Sequence, residues 1–287
     1  MFTANLGTYQ GAVEAALDEI TEENIVERIW AHDHTVWEPD PTEITNRLGW
    51  LHSPQTMEEH IGRLEKLTDA VRDEGYTDAL LLGMGGSSLA PQVFRKTFGV
   101  KSGYLDLSVL DSSDPGAVLD HERRLDLAKT LFIVATKSGG TAETLSFFKY
   151  FYNKTMEALG AKEAGAHFIA ITDPGSKLVD LAEQHEFRDT FLNDPNIGGR
   201  YSALSYFGLV SAALVGIDLA QLLDRAERMA DECKREGNDG ARLGAIMGEL
   251  TKAGRDKVTL ITAPPIASFG DWVEQLIAES TGKNGKG

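Results

Sequence analysis

The chain is poor in cysteine, in long apolar runs and in positive charge. Its one cysteine, Cys233, has no partner for an internal disulfide, which fits a reducing compartment. No run approaches the ~18 apolar residues of a membrane-spanning helix. The start, "MFTANLGTYQGAVEAALDEI", lacks the basic segment that opens a secretory leader and carries acids in its helical part. The expectation is a soluble cytoplasmic protein. Lys and Arg number 28 against 44 Asp and Glu, a net charge of -16, which argues against a nucleic-acid footprint and against attachment to anionic membranes. A small anionic ligand needs only local donors and is not excluded. His32-Asp33-His34 offers two imidazoles without a third ligand, so no metal is expected.

What is present is a core and a rhythm. A hydrophobic fraction of 42% over 287 residues supplies enough apolar side chain for a buried interior. Apolar spacing predicts helices from about Gly11 to Trp30 and from Met57 to Glu74, separated by an irregular, proline-bearing stretch. Thereafter strand and helix patterns alternate. "DALLLG", "LDLSVLD", "TLFIVAT" and "HFIAIT" recur at roughly 25 to 35 residues, the spacing of βαβ units, and "FRDTFLN" adds a fifth strand. Runs apolar on both faces suit a parallel sheet covered by helices. Tyr201–Met229 and Arg242–Lys252 read as helices, "KVTLITAPP" as a new strand, and "FGDWVEQLIAESTGK" as a further helix.

Two loops that follow strands carry the chemistry. "VATKSGGTAET" (Val134–Thr144) is built of hydroxyls and glycine around one lysine. In an open parallel sheet such a loop leads into a helix N-terminus, where unpaired N–H groups and the helix dipole favour an anion. Thr136, Ser138 and Thr141 offer hydroxyls, Gly139 and Gly140 allow close approach, and Lys137 adds charge unless it turns to solvent. The set matches a phosphate. A Ser/Thr-rich turn that merely caps the next helix is the alternative. The upstream loop, "LGMGGSSLAP" (Leu82–Pro91), is similar to a dinucleotide fingerprint, with Asp111 where a ribose-binding acid would lie. Ser88 replaces the third glycine, however, and a dinucleotide gives no reason for a second hydroxyl-rich loop. A small phosphorylated ligand explains both.

Four segments, "LGMGGSSLAP", "TKSGGTAET", "NIGGRYSALS" and "VEQLIAESTGKNGKG", resemble in this order the signatures of phosphoglucose isomerase. With "RIWAHDHTVWEPDPTEITNRLGWL", the chain resembles the isomerase half of bacterial transaldolase–phosphoglucose isomerase fusion proteins. The resemblance implies an α/β fold: a sugar isomerase (SIS) domain with a five-stranded parallel sheet and helices on both faces, preceded by an N-terminal helical extension. The expected organisation is an extension over residues 1–75, a first SIS domain over 76–254, and the start of a second over 255–287. The implied reaction interconverts glucose 6-phosphate and fructose 6-phosphate without metal or cofactor. A homodimer, and fusion to or association with a transaldolase, stay open as assemblies.

Residue by residue, the resemblance implies that Thr136, Lys137, Ser138 and Thr141 cradle the phosphate while Gly86 and Ser87 line the sugar. Arg200 would stabilise an enediolate and Glu279 would move the proton between C1 and C2. Helix phase, counted from the N-cap-like Asp271 and Glu274, puts Glu279 about 20° from Trp272 on the edge of an apolar stripe. The expected consequence is a partly desolvated carboxylate with a raised pKa. Gln275, one turn earlier, is placed for a substrate hydroxyl. An i,i+4 pair of Glu279 with Lys283 is the plain alternative. The resemblance also implies a ring-opening histidine and a lysine further along the second domain, whereas the last histidine here is His185 and only Lys283 and Lys286 follow Glu279. The expectation is therefore a fragment or a shortened product that binds sugar phosphate but interconverts it poorly alone.

Overall fold

The structure, a computed structural model, describes residues 2–283 and Gly285. The N-terminal part contains α1 (Gln10–Glu22), α2 (Ile25–Trp30), α3 (Ser53–Glu58) and α4 (Ile61–Asp73). The repeating part runs β1 (Asp78–Gly83), α5 (Leu89–Phe98), β2 (Asp106–Leu110), α6 (Pro115–Arg124), β3 (Thr130–Ala135), α7 (Ala142–Leu159), α8 (Ala161–Ala164), β4 (Phe168–Thr172), α9 (Lys177–Gln184) and β5 (Asp189–Leu192). It is followed by α10 (Tyr206–Leu214), α11 (Leu219–Cys233), α12 (Asp239–Lys252) and α13 (Phe269–Thr281).

The five strands form one parallel sheet in the order β2-β1-β3-β4-β5. Alternation along each strand divides the core. Ala79, Leu81, Ile133 and Ile171 face α4, α5, α10 and α11, joined by Leu64, Val71 and Leu209. Leu80, Leu82, Phe132 and Val134 face the other way, under Phe148 and Phe151 of α7 and Leu178 of α9. Every residue of β3 and β4 is buried, which is why these strands read as unbroken apolar runs. Helix α4 belongs to the sheet's own core through Leu64, Leu67 and Val71.

Several boundaries differ from expectation. The first helix breaks at Asn24, which takes the left-handed conformation (φ 53°) that Asn tolerates. Tyr201–Met229 begins as a 3-10 segment, and α10 and α11 are separated by a turn whose Asp218 carboxylate caps α11 through the Gln221 N–H at 2.9 Å. The stretch "KVTLITA" forms no strand. Its side chains lie open, with Val258 at 55%, Leu260 at 46% and Ile261 at 95% exposure. Alternating β-branched residues supply local strand preference, but a strand also needs a neighbour for its ladder, and the described residues supply none here. Helix α13 starts at Phe269 rather than at an Asp271 cap, so Asp271 sits in the first turn, where its charge suits the helix dipole.

Candidate functional site

β1 and β3 are neighbours paired up to Gly83 and Ala135. The chain leaves β1 toward β2 on one side and β3 toward β4 on the other, so a crevice opens between the two loops that follow them. This is the switch point at which parallel α/β sheets bind ligands. Both hydroxyl-rich loops start there.

The β3 loop is held from behind. Thr136 N–H bonds Ile171 O at 3.1 Å, and Asp173 N–H bonds Lys137 O at 3.2 Å, extending the β3–β4 ladder past the strand ends. Thr136 and Thr141 hydroxyls share a hydrogen bond of 2.8 Å, and Gly140 N–H reaches Ser138 Oγ at 3.2 Å. Thr141 occupies the N-cap of α7, yet its side chain caps no helix N–H, so the simple capping turn is not what forms. The first-turn donors of this 18-residue helix are free of a side-chain cap and face the loop end, as an anion site requires. Lys137 departs from its expected role. Its ammonium is bound to Asp173 and to Pro195 O, neither free for a phosphate nor turned to solvent. Burial pushes the Asp173 carboxyl above the usual carboxylate range, while Lys137 pulls it down. Gly139, expected to approach a ligand, instead approaches α9: a Cβ there would lie 2.7 Å from Leu178 N.

The β1 loop meets two later segments. At Gly86 a Cβ would fall 2.3 Å from the Gly199 carbonyl carbon, so two backbones touch where Gly86 faces the 3-10 segment Gly199–Leu204. Ser202 Oγ clamps the pair, within 2.7 Å of Gly199 O and 3.3 Å of Gly86 O. Ser87 lies in the same short turn, Gly85–Ser87, and is half-buried. A Cβ at Gly85 would lie 2.8 Å from Gln275 Nε2, so α13 closes over this loop.

Here the two residues assigned to chemistry come together. Arg200 Nη1 lies 3.4 Å from Glu279 Oε2, Gln275 Nε2 donates to Glu279 Oε1 at 2.9 Å, and Arg200 Nε donates to Ser280 Oγ at 2.9 Å. Tyr201 hydroxyl shares the same Ser280 oxygen at 2.8 Å. Lys283 does not pair with the Glu279 carboxylate; its ammonium goes to the Glu279 carbonyl oxygen. The expected desolvation of Glu279 is not seen, since its side chain is 49% exposed while Arg200 is 20% exposed. The stripe residue Trp272 lies instead in an apolar groove against α5 with Phe94 and Leu204. The last signature's Asn284, Lys286 and Gly287 lie outside the described residues. Among those described, no cluster of three metal-ligating side chains occurs, and no helix is long and apolar enough to cross a membrane. Ser202, Ser280 and Asp173 went unassigned in the sequence. The first two stand beside assigned residues, but only their contacts reveal a role.

In architecture this is a parallel α/β protein with its candidate site at the carboxyl end of the sheet, and solved structures share that architecture over nearly the whole chain. A hypothetical protein from Thermus thermophilus matches with TM-score 0.79 and 28% identity, over 96% of this chain and 64% of that one. A glucose-6-phosphate isomerase from Chlamydia trachomatis matches in fold with TM-score 0.80 and 21% identity, over 94% of this chain and 56% of that one. The chain belongs to the phosphoglucose isomerase family, whose sequence model matches residues 57–284. Among curated relatives, a glucose-6-phosphate isomerase of Rubrobacter xylanophilus is 32% identical over 286 residues, 96% of this chain and 64% of its own length. One from Carboxydothermus hydrogenoformans is 33% identical over 82% of this chain and 53% of its own length. The chain thus spans between half and two thirds of these relatives.

Proposed function

We propose that this chain binds glucose 6-phosphate and fructose 6-phosphate in the β1–β3 crevice and interconverts them through an enediolate. The observation that carries the reading is the Gln275–Glu279–Arg200 cluster, closed over the Gly85–Ser87 turn beside a hydroxyl-rich loop. In the open-chain aldose, Glu279 takes the C2 proton and the electron pair moves onto the C1 oxygen. Arg200 balances that negative charge, which a permanently charged guanidinium suits. Return of the same proton to C1, with proton exchange between the two oxygens, gives the ketose. The 3.4 Å contact between Arg200 and Glu279 is loose and leaves the carboxylate available to a substrate. Opening of the cyclic sugar needs a further proton shuttle, so the linear sugar is the species on which these residues act. Thr136, Ser138, Thr141 and the N-terminus of α7 hold the phosphate, and Gly86 and Ser87 line the sugar. The same reading carries the finer expectations of a homodimer and a transaldolase partner, testable by mass measurement in solution and by co-purification.

Glucose 6-phosphate should raise the melting temperature while glucose does not. The scale is about 2.7 kcal/mol at a hundredfold excess over the dissociation constant. The response should be lost in Thr141→Val. Equal stabilisation by both sugars, or an unaltered response in that variant, contradicts the phosphate site.

A further inference from the structure

His32 and His52 meet outside the crevice. Their Nε2 atoms are 2.9 Å apart, with ring centroids 5.0 Å apart and planes 21° from parallel. Imidazoles joined tip to tip by one N–H···N bond have centroids about 5 Å apart and share a plane, so the rings point at each other rather than stack. A tetrahedral metal ~2.0 Å from each nitrogen needs lone pairs that converge at an angle; here they oppose. The shared object is a proton. His32 holds its ring there from a left-handed backbone (φ 60°), a conformation that costs energy in a residue other than glycine.

The pair is wired to the arginine of the site. His52 ends the 3-10 turn Gly49–His52, and Trp50 of that turn stacks on Tyr201 at 4.9 Å and 10°. The Tyr201 hydroxyl shares Ser280 Oγ with Arg200 Nε, and the Arg200 guanidinium lies over the Tyr201 ring at 4.7 Å. The turn is anchored at its other end by Gly49 N–H to Asn196 O at 3.1 Å.

We propose that His32 and His52 are positioning residues for Arg200: while they share a hydrogen bond they hold the Trp50–Tyr201 stack, and double protonation parts them and loosens the guanidinium. This rests on the isomerase reading for the role of Arg200. With neither or one ring charged, an N–H faces a lone pair. With both charged, two N–H groups and two positive charges face each other across 2.9 Å. The surroundings oppose a second charge. Lys234, at the end of α11, and His32 both disfavour a charged His52, after burial as the main cause. Asp33 is committed to Arg28 and Thr35, and His34 to Pro39 O. Trp30 and His52 form a T-shaped pair with ring centroids 6.1 Å apart, and Trp30 donates its N–H to Cys233 O. Burial raises the Cys233 thiol's pKa, so it brings no anion.

The test compares two ligands whose phosphates titrate alike: glucose 6-phosphate, and 6-phosphogluconate, whose C1 carboxylate places a negative charge where the enediolate would carry it. The ratio of their dissociation constants isolates Arg200. Between about pH 7.5 and 4.5, a window carried below the ordinary imidazole range because burial and the neighbouring charges oppose the second proton, the preference for 6-phosphogluconate should fall about tenfold, the loss of roughly one charge-assisted hydrogen bond. In His52→Gln and in His32→Gln, which keep a polar tip and take no proton, the ratio should not respond to pH. A flat ratio in the unaltered chain, or the same fall in both variants, overturns the proposal. If neither ligand binds, the isomerase reading fails on its own. The pair is then judged by tryptophan fluorescence without ligand: a pH-dependent change lost in Trp50→Phe and in His52→Gln supports the linkage, and its absence refutes it.

Discussion

Replacing Gly86 by alanine puts one methyl group between two backbones. The added Cβ would lie 2.3 Å from the Gly199 carbonyl carbon and 2.4 Å from its oxygen, against 3.4 Å for ordinary van der Waals contact. The difference, 3.4 minus 2.3, requires a displacement of 1.1 Å. Neither side is a flexible tip that can swing away. Overpacking of this kind costs about 1–3 kcal/mol, or roughly 2–5 °C of melting temperature in a chain of this size. The displacement would also carry Arg200, the residue after Gly199, away from the sugar loop. A shift of about 1 Å in a positioned group costs on the order of a hundredfold in rate. Gly270→Ala is the control: it lies in the first turn of α13 with nothing inside 4 Å of its Cβ, so it should not destabilise, the gain staying below the roughly 1 kcal/mol of a helix interior. Thermal melts of both variants, with glucose 6-phosphate titrations, decide the matter. A Gly86→Ala protein that melts and binds as the parent does would refute the claim that this backbone contact builds the site.

Glu279→Gln keeps the shape of the side chain and removes the base. Under conditions where the parent turns over, isomerisation should collapse while glucose 6-phosphate affinity changes little, and near-normal turnover would move the base elsewhere. Arg188 clasps Glu74 through two hydrogen bonds of 2.8 and 2.6 Å, and this lowers the Glu74 pKa. A lowered carboxylate contributes stability that is present above its unfolded pKa and lost as pH falls through the folded one. Glu74 is 49% exposed, so Glu74→Gln should cost no more than about 1 kcal/mol at neutral pH. That deficit should shrink as pH drops below the ordinary carboxylate range, and a deficit constant with pH would contradict the ion pair.

The five strands of the sheet and the order of the loops that follow them were legible in the linear chain. They depend on periodicity and on residues a few positions apart. What remained was set by packing across the fold. "KVTLITA" has the local preference of a strand, but pairing is a property of two segments, and no partner is described for it. Lys137 reads as a phosphate ligand until the fold places Asp173 against it from 36 residues away. Its charge is then already balanced. Arg200 and Glu279 take their expected roles from the resemblance, and no local pattern of the sequence joins the two. They meet across 79 residues because Gly86 and Gly199 allow two backbones to touch and Ser280 offers an oxygen. Such contacts follow from the placement of whole elements, and no local pattern encodes the direction in which a long, flexible side chain will find its partner.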